Sequence, residues 1–351
     1  MAVTIDGTAG VVAPAVTAAT VSTSGPAELT TLSVAGNNIS SVNSLGFRNR
    51  IINGDMRVAQ RNTSATITAG STIAAGYSTV DRFYVYCTGA NVTAAQTTNS
   101  AVNALRITGA SSVTAVGVGQ RIETANSYDL ANGTATLSVN LANSLLTTVT
   151  WTAYYANTTD TFGTLASPTR TQIATGTFTV TSTLTRYSTQ ITIPSAAITG
   201  IEIVFTVGAQ TSGTWNISGV QLEAGSVATP FERRPYGEML ILCQRYGLRV
   251  TQQQNSGGFS STGLTANARF PFPVTMRATP TAAIISAGSW IVGNDVSANY
   301  TATNVGLQSQ NLTASGGRVT FNSFNSNFGS AQFVAGTDAT GTAVLFFSAE
   351  L

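Results

Sequence analysis

Few side chains in this sequence suit chemistry, and they are restricted in type. There is no histidine, and 14 acidic residues stand against 16 basic ones, all of them arginine. Without imidazole, histidine triads, histidine zinc sites and imidazole general bases are excluded. Glycoside hydrolysis needs only two carboxylates, but here they are scattered singly beside arginines or turns, as in Asp81-Arg82 and Glu232-Arg233-Arg234. They read as structural ion pairs. Gly117-Val118-Gly119 lies in a β pattern without the following helix that a phosphate-binding loop requires. Cys87 and Cys243 have no metal-ligand spacing and occupy apolar stretches, so two buried free thiols are expected. The expectation is a protein that is not an enzyme.

Aromatic residues carry the better signal. Recognising a sugar takes flat apolar rings to stack on, with amides and hydroxyls to bond the sugar hydroxyls. Strand alternation over 148–155 puts Val149, Trp151, Ala153 and Tyr155 on one face, which reads as core, and Thr150, Thr152 and Tyr154 on the other. In the same way Tyr84 and Tyr86 stand opposite Phe83, Val85 and Cys87. Tyr84, Tyr86 and Tyr154 are therefore candidates for one exposed glycan-binding sheet face, against the plainer reading of surface or subunit-contact tyrosines. A second set sits in polar, glycine-rich stretches expected to be loops: Phe259 in 252–262, Tyr300 in 293–304, and Phe324 and Phe328 in 322–331. Arg48, Arg50, Arg57 and Arg61 cluster as well. Pairing with carboxylates and with carbonyls of neighbouring chains is favoured over a ligand-binding basic patch.

The elements that must position these residues are β-strands. Threonine and valine favour strands, and glycine, asparagine and serine favour turns, so the fold class is all-β. Charged residues are only 9% while apolar ones reach 43%, which is not the balance of a disordered chain. A net charge of +2 supplies little counterion-release force, so no nucleic-acid partner is expected. The apolar stretch 10–21 is too short to span a bilayer and contains Pro14, so no membrane insertion is expected, and no signal peptide is evident.

Four segments follow. Residues 1–46 lack aromatics and read as an extended N-terminal attachment segment or shaft, because too little apolar area is available to offset backbone ordering. Residues 47–234 carry strand patterns at 83–87, 135–141, 148–155, 176–180, 189–193, 201–207 and 215–222, which point to a jelly roll or sandwich. Residues 235–249 form a short helical neck, with Pro235 at the start, Gly247 at the stop, and Met239, Leu242, Cys243 and Tyr246 on one face. Residues 250–351 form a second, smaller β-sandwich head.

Two stretches bear a resemblance. Asn49-Arg50-Ile51-Ile52-Asn53-Gly54-Asp55-Met56-Arg57-Val58-Ala59-Gln60-Arg61, followed by Val80-Asp81-Arg82-Phe83, resembles the opening of a domain common in bacteriophage tail-fibre and other receptor-binding virion proteins. Gly219-Val220-Gln221-Leu222-Glu223-Ala224-Gly225-Ser226-Val227-Ala228-Thr229-Pro230-Phe231-Glu232-Arg233-Arg234-Pro235-Tyr236-Gly237-Glu238, continuing to Cys243-Gln244-Arg245-Tyr246, resembles its close. Met276-Arg277-Ala278-Thr279-Pro280 is similar to a phrase in the C-terminal domains of such fibres. The bracketed domain is also similar to jelly-roll carbohydrate-binding modules.

The resemblance implies a homotrimeric tail fibre in the virion. It would dock on a tail or baseplate protein through residues 1–46 and adsorb to host surface polysaccharide. A purely structural virion component and a free carbohydrate-binding module of an enzyme complex are the alternatives. The resemblance also makes Asp55 a candidate ligand of a structural calcium ion, although the last strand offers Gln221 and Glu223 in place of a clear Asp. No other cofactor is expected.

Overall fold

The computed structural model describes residues 32–34, 37–39, 47–70, 76–99, 101–251, 256–262, 265–286, 290–293, 299–302, 312–322, 332–336 and 344–351. The chain divides into two compact units, Met1–Leu45 and Gly46–Leu351. In the first, β1 (Leu32–Val34) pairs antiparallel with β2 (Asn37–Ile39). The rest of the predicted shaft lies outside the described residues.

The second unit opens with a sandwich built from eleven strands: β3 (Ser64–Ile67), β4 (Tyr84–Thr88), β5 (Val92–Asn99), β6 (Val102–Thr108), β7 (Ala115–Ile122), β8 (Gly133–Asn143), β9 (Thr148–Ala156), β10 (Arg170–Thr179), β11 (Thr185–Ile193), β12 (Ile201–Val207) and β13 (Thr214–Ala224). One sheet runs β10-β9-β12-β7-β4 and the other β11-β8-β13-β6-β5-β3. From β6 to β9 and again from β10 to β13 the chain passes back and forth between the sheets, with β9 and β10 paired in one of them, the winding of a jelly roll. Alternation supplies the core as expected. Val149, Trp151 and Ala153 of β9, Ile201, Ile203 and Phe205 of β12, and Leu137, Val139 and Leu141 of β8 are buried together between the sheets.

The two stretches that bracket this domain in sequence meet in space. Asn49 donates from Nδ2 to the Val220 carbonyl at 2.9 Å and accepts from the Leu222 N–H at 3.1 Å. The Glu232 carboxylate accepts the N–H groups of Arg48 and Asn49. Gly54 passes so close to β13 that a Cβ there would lie 2.1 Å from the Val220 oxygen, which is why the position is glycine.

The helix α1 (Tyr236–Gln244) lies within the predicted neck, but Pro235 caps it from outside and it ends before Gly247, which opens the next strand. Met239, Cys243 and Tyr246 pack on Ile52 and Val58 of the opening stretch. Leu242 is half-buried and packs against the same cluster, while Ile241 beside it is exposed. Cys87 and Cys243 are buried and unpaired.

Among the described residues nine strands follow: β14 (Gly247–Thr251), β15 (Ser256–Thr262), β16 (Thr265–Pro271), β17 (Thr281–Ser286), β18 (Trp290–Gly293), β19 (Asn299–Ala302), β20 (Gly316–Asn322), β21 (Gln332–Gly336) and β22 (Val344–Ser348). They form a three-stranded sheet, β14-β22-β17, and a six-stranded sheet, β19-β18-β21-β15-β16-β20. Two loop expectations are corrected. Phe259 sits on β15, an inner strand, where it pairs with Asn267 and Gln332. Tyr300 sits on the edge strand β19 opposite Val292. Threonines and serines flank both positions, and these residues serve strands as readily as turns.

This C-terminal part grips the jelly roll through arginine. Glu350 pairs with both Arg82 and Arg61, and Arg82 lies 3.5 Å from the centre of the Tyr246 ring. Arg245 pairs with Glu123 at 3.1 Å.

Candidate functional site

The outer face of the sheet β10-β9-β12-β7-β4 gathers the three jelly-roll tyrosines. Residues directly opposite across a ladder point to the same side, so register alone defines rows on this face. One row is Thr177, Thr150, Thr206, Gly117 and Tyr86. The next is Thr175, Thr152, Val204, Gly119 and Tyr84. A third is Gln172, Tyr154, Glu202 and Arg121.

The glycines of β7 explain how the tyrosines sit. A Cβ on Gly117 would stand 2.2 Å from two carbons of the Tyr86 ring, and one on Gly119 would stand 2.3 Å from the Tyr84 hydroxyl oxygen. Both rings therefore lean across β7 into space that any other residue would fill. They stack at 6.4 Å between centroids with planes 24° apart. The edge of Tyr77 meets Tyr84 at 5.9 Å.

Exposure separates the candidates. Tyr84 is a correction: its relative exposure is 0%, so it cannot touch a ligand. Its hydroxyl donates to Glu202 Oε1 at 2.8 Å. Glu202, itself fully buried, also pairs with Arg121 at 2.8 Å and with Arg170. A buried carboxylate is costly unless cations and donors surround it, and here two guanidinium groups and a phenol do so. Burial and the Glu202 charge push the Tyr84 phenol well up, so it stays a donor. Tyr86 and Tyr154 are half-buried and keep part of their rings at the surface. The Arg170 guanidinium lies 4.0 Å from the Tyr154 ring centre. Thr150 and Thr206 are half-buried, and Thr175 and Thr177 are exposed.

Of the remaining candidates, Phe259 and Tyr300 belong to the strands already described, away from this sheet. Phe324 and Phe328 lie outside the described residues. Three of the four clustered arginines form pairs within the chain, Arg50 with Asp129, Arg57 with Asp55, and Arg61 with Glu350, while Arg48 reaches the Pro230 carbonyl at 3.5 Å.

The residues at Asp55 do not fit a calcium ion. Its Oδ2 is 2.6 Å from Arg57 Nε, and Arg233 adds a second positive charge nearby. Oδ1 is buried without a hydrogen-bond partner, yet no second carboxylate joins it. Among the described residues no group of three His, Cys, Asp or Glu side chains is placed to hold a metal, whereas a calcium shell takes six or more oxygens. Glu223 is fully engaged by the Thr229 N–H at 2.9 Å, the Thr229 hydroxyl at 2.6 Å and Gln221 Nε2 at 2.8 Å.

Sequence reasoning missed the arginines of this face, Arg121 and Arg170, and the part played by Gly117 and Gly119. The alternation of Val116, Val118 and Gln120 with glycines was a usable signal: glycine at every second position of a strand marks a face over which something else must lie.

No protein family matches the sequence, and no curated protein does. Among solved structures, the chain is similar to a CBM4 carbohydrate-binding module, with a TM-score of 0.34 and 15% identity over 49% of this chain and 98% of that one. It is similar to the TmCBM61 module in complex with β-1,4-galactotriose, with a TM-score of 0.30 and 12% identity over 51% and 99% of the two chains. The enzymatically active domain of tailspike protein 4 of bacteriophage CBA120 has a TM-score of 0.30 and 14% identity, over 50% of this chain and 21% of that one. At these scores neither ligand nor activity is carried over from any of them.

Proposed function

We propose that the chain is a non-enzymatic glycan-binding protein whose reading surface is the outer face of the sheet β10-β9-β12-β7-β4. One observation carries this: a cross-strand row of threonine hydroxyls, Thr177, Thr150 and Thr206, runs into the half-exposed ring of Tyr86 that lies over Gly117. A pyranose offers an apolar face and a rim of hydroxyls, and this row offers a ring and a line of hydroxyls one strand apart. The face lacks a pair of free carboxylates of the kind hydrolysis uses, because Glu202 is buried and held by two arginines.

The biological setting we propose is the host-adsorbing tail fibre of a bacteriophage, assembled as a homotrimer and docked on the virion through residues 1–46. The resemblance of 49–61 and 219–246 to tail-fibre domains supports it, and so does the nearly uncharged surface, which does not repel envelope polysaccharide. The rival is a structural virion component with no receptor site. Retention of the full chain on host-envelope polysaccharide separates the two. Wild type is expected to be retained, Tyr86→Ala to be released, and Thr206→Val to be weakened by roughly threefold to tenfold, the worth of one hydrogen bond. Equal elution of wild type and Tyr86→Ala contradicts the proposal.

A further inference from the structure

A cavity of about 440 Å³ lies where the jelly roll meets the C-terminal strands, lined by Tyr77, Arg121, Thr164, Arg277, Thr279 and Glu350 among others. Its electrostatics are unbalanced. Glu202 serves both Arg121 and Arg170, and Glu350 serves both Arg61 and Arg82. Arg277 has no carboxylate partner among the described residues and bonds only the carbonyls of Ala349, at 2.8 Å, and Glu350, at 3.0 Å. Of these arginines Arg121 and Arg277 line the cavity, beside the Glu350 carboxylate that Arg61 and Arg82 already hold.

One of these two arginines has an unsatisfied donor. Arg121 is 3% exposed, with Nε on Glu202 and Nη1 on the Leu351 oxygen at 2.8 Å. Its Nη2 is buried and has no hydrogen-bond partner, while the residue contributes to the cavity lining. Orphaned donors on a buried cation are expensive, and an anion is the group that satisfies them. The rest of the lining supplies hydroxyls, from Tyr77, Thr164, Thr279, Thr281 and Ser348, which suit a polyhydroxyl ligand more than a bare ion.

We infer that this cavity takes a carboxylate-bearing sugar unit, with the carboxylate toward Arg121 and Arg277 and the ring hydroxyls toward the threonines. Tyr77 lines the cavity and also touches Tyr84, the neighbour of Tyr86, so the cavity adjoins the face assigned above. The inference names the sugar class for that reading and rests on it in this respect: the preferred polysaccharide is one with acidic units.

The test is calorimetric titration of the full chain at low salt with glucuronate and galacturonate, set against glucose and galactose, and against acetate and inorganic phosphate. At least one uronate is expected to bind roughly tenfold or more tightly than its neutral counterpart. Arg277→Ala is expected to remove that preference. Because Arg277 also holds the 349–350 backbone, Thr279→Asp is the second variant: Thr279 is exposed, and a carboxylate there repels the ligand without disturbing the fold. Equal binding of acidic and neutral sugars, acetate or phosphate binding as tightly as both uronates, or an undiminished preference in Thr279→Asp overturns the inference. Retention on neutral glycans that depends on Tyr86 but shows no uronate preference overturns only this inference. Uronate binding indifferent to Tyr86→Ala on every glycan overturns only the platform.

Discussion

The ring of Tyr86 occupies the place where Gly117 would carry a side chain, with 2.2 Å between a Cβ there and the nearest ring carbons. The pairing ties stability to the proposed recognition, because the same absence of a methyl group that lets the sheet pack also shapes the face proposed to bind glycan.

Gly117→Ala is therefore expected to destabilise the fold by about 1–3 kcal/mol, the usual cost of forcing atoms into occupied space, and to weaken glycan retention by displacing Tyr86. Gly237→Ala is the control. It lies in the first turn of α1 with nothing within 4 Å of its Cβ position, and is expected to be neutral or to stabilise by up to about 1 kcal/mol. Chemical denaturation of both variants alongside the retention assay checks the contrast.

Glu350→Gln is expected to cost about 3 kcal/mol or more. Glu350 is the shared partner of Arg61 and Arg82, and the Arg82 side chain has 0% exposure. Removing one partner of a buried ion pair leaves an uncompensated charge. Urea unfolding monitored through the aromatic residues measures it, and a change below about 1 kcal/mol contradicts the burial of this pair.

Stability is expected to depend on pH through Asp81. Burial pushes its carboxyl up to about 6, against the Gln60 main-chain and side-chain N–H bonds and the Arg61 charge, which pull it down, while Glu350 adds to the rise. The folded state therefore holds this proton more tightly than the unfolded chain. The resulting stability is complete below about pH 4 and is lost as pH rises through about 6. A shift of two units corresponds to about 3 kcal/mol. The stability of the wild type relative to Asp81→Asn should fall between pH 4 and pH 6 and stay level above 7, as measured by guanidinium unfolding at each pH.

Calcium is expected to leave the melting temperature unchanged, and so is a chelator. Asp55 already faces Arg57 and Arg233, and Glu223 is spent on Thr229 and Gln221. Thermal melts with calcium and with chelator decide it, and a rise of several degrees with calcium would show that a shell of oxygens assembles there.

The amino-acid sequence by itself determined the all-β class, the inward side of β9 and the presence of a short helix after Pro235, because each depends on local propensity and a period of two or of 3.6. It also placed Tyr84, Tyr86 and Tyr154 on one side of their strands. Tertiary structure alone decided what that side became. Tyr84 is closed off because Glu202, 118 positions away, accepts its hydroxyl, and Tyr86 stays half open at the sheet edge. No period encodes which strand lies beside which, so the service of Gly117 and Gly119 to β4 was legible only as an oddity within β7. The joining of Asn49 to Val220 and of Arg82 to Glu350 escaped notice for the same reason: long-range hydrogen bonds and ion pairs follow from topology, and a single chain's local pattern carries no record of it.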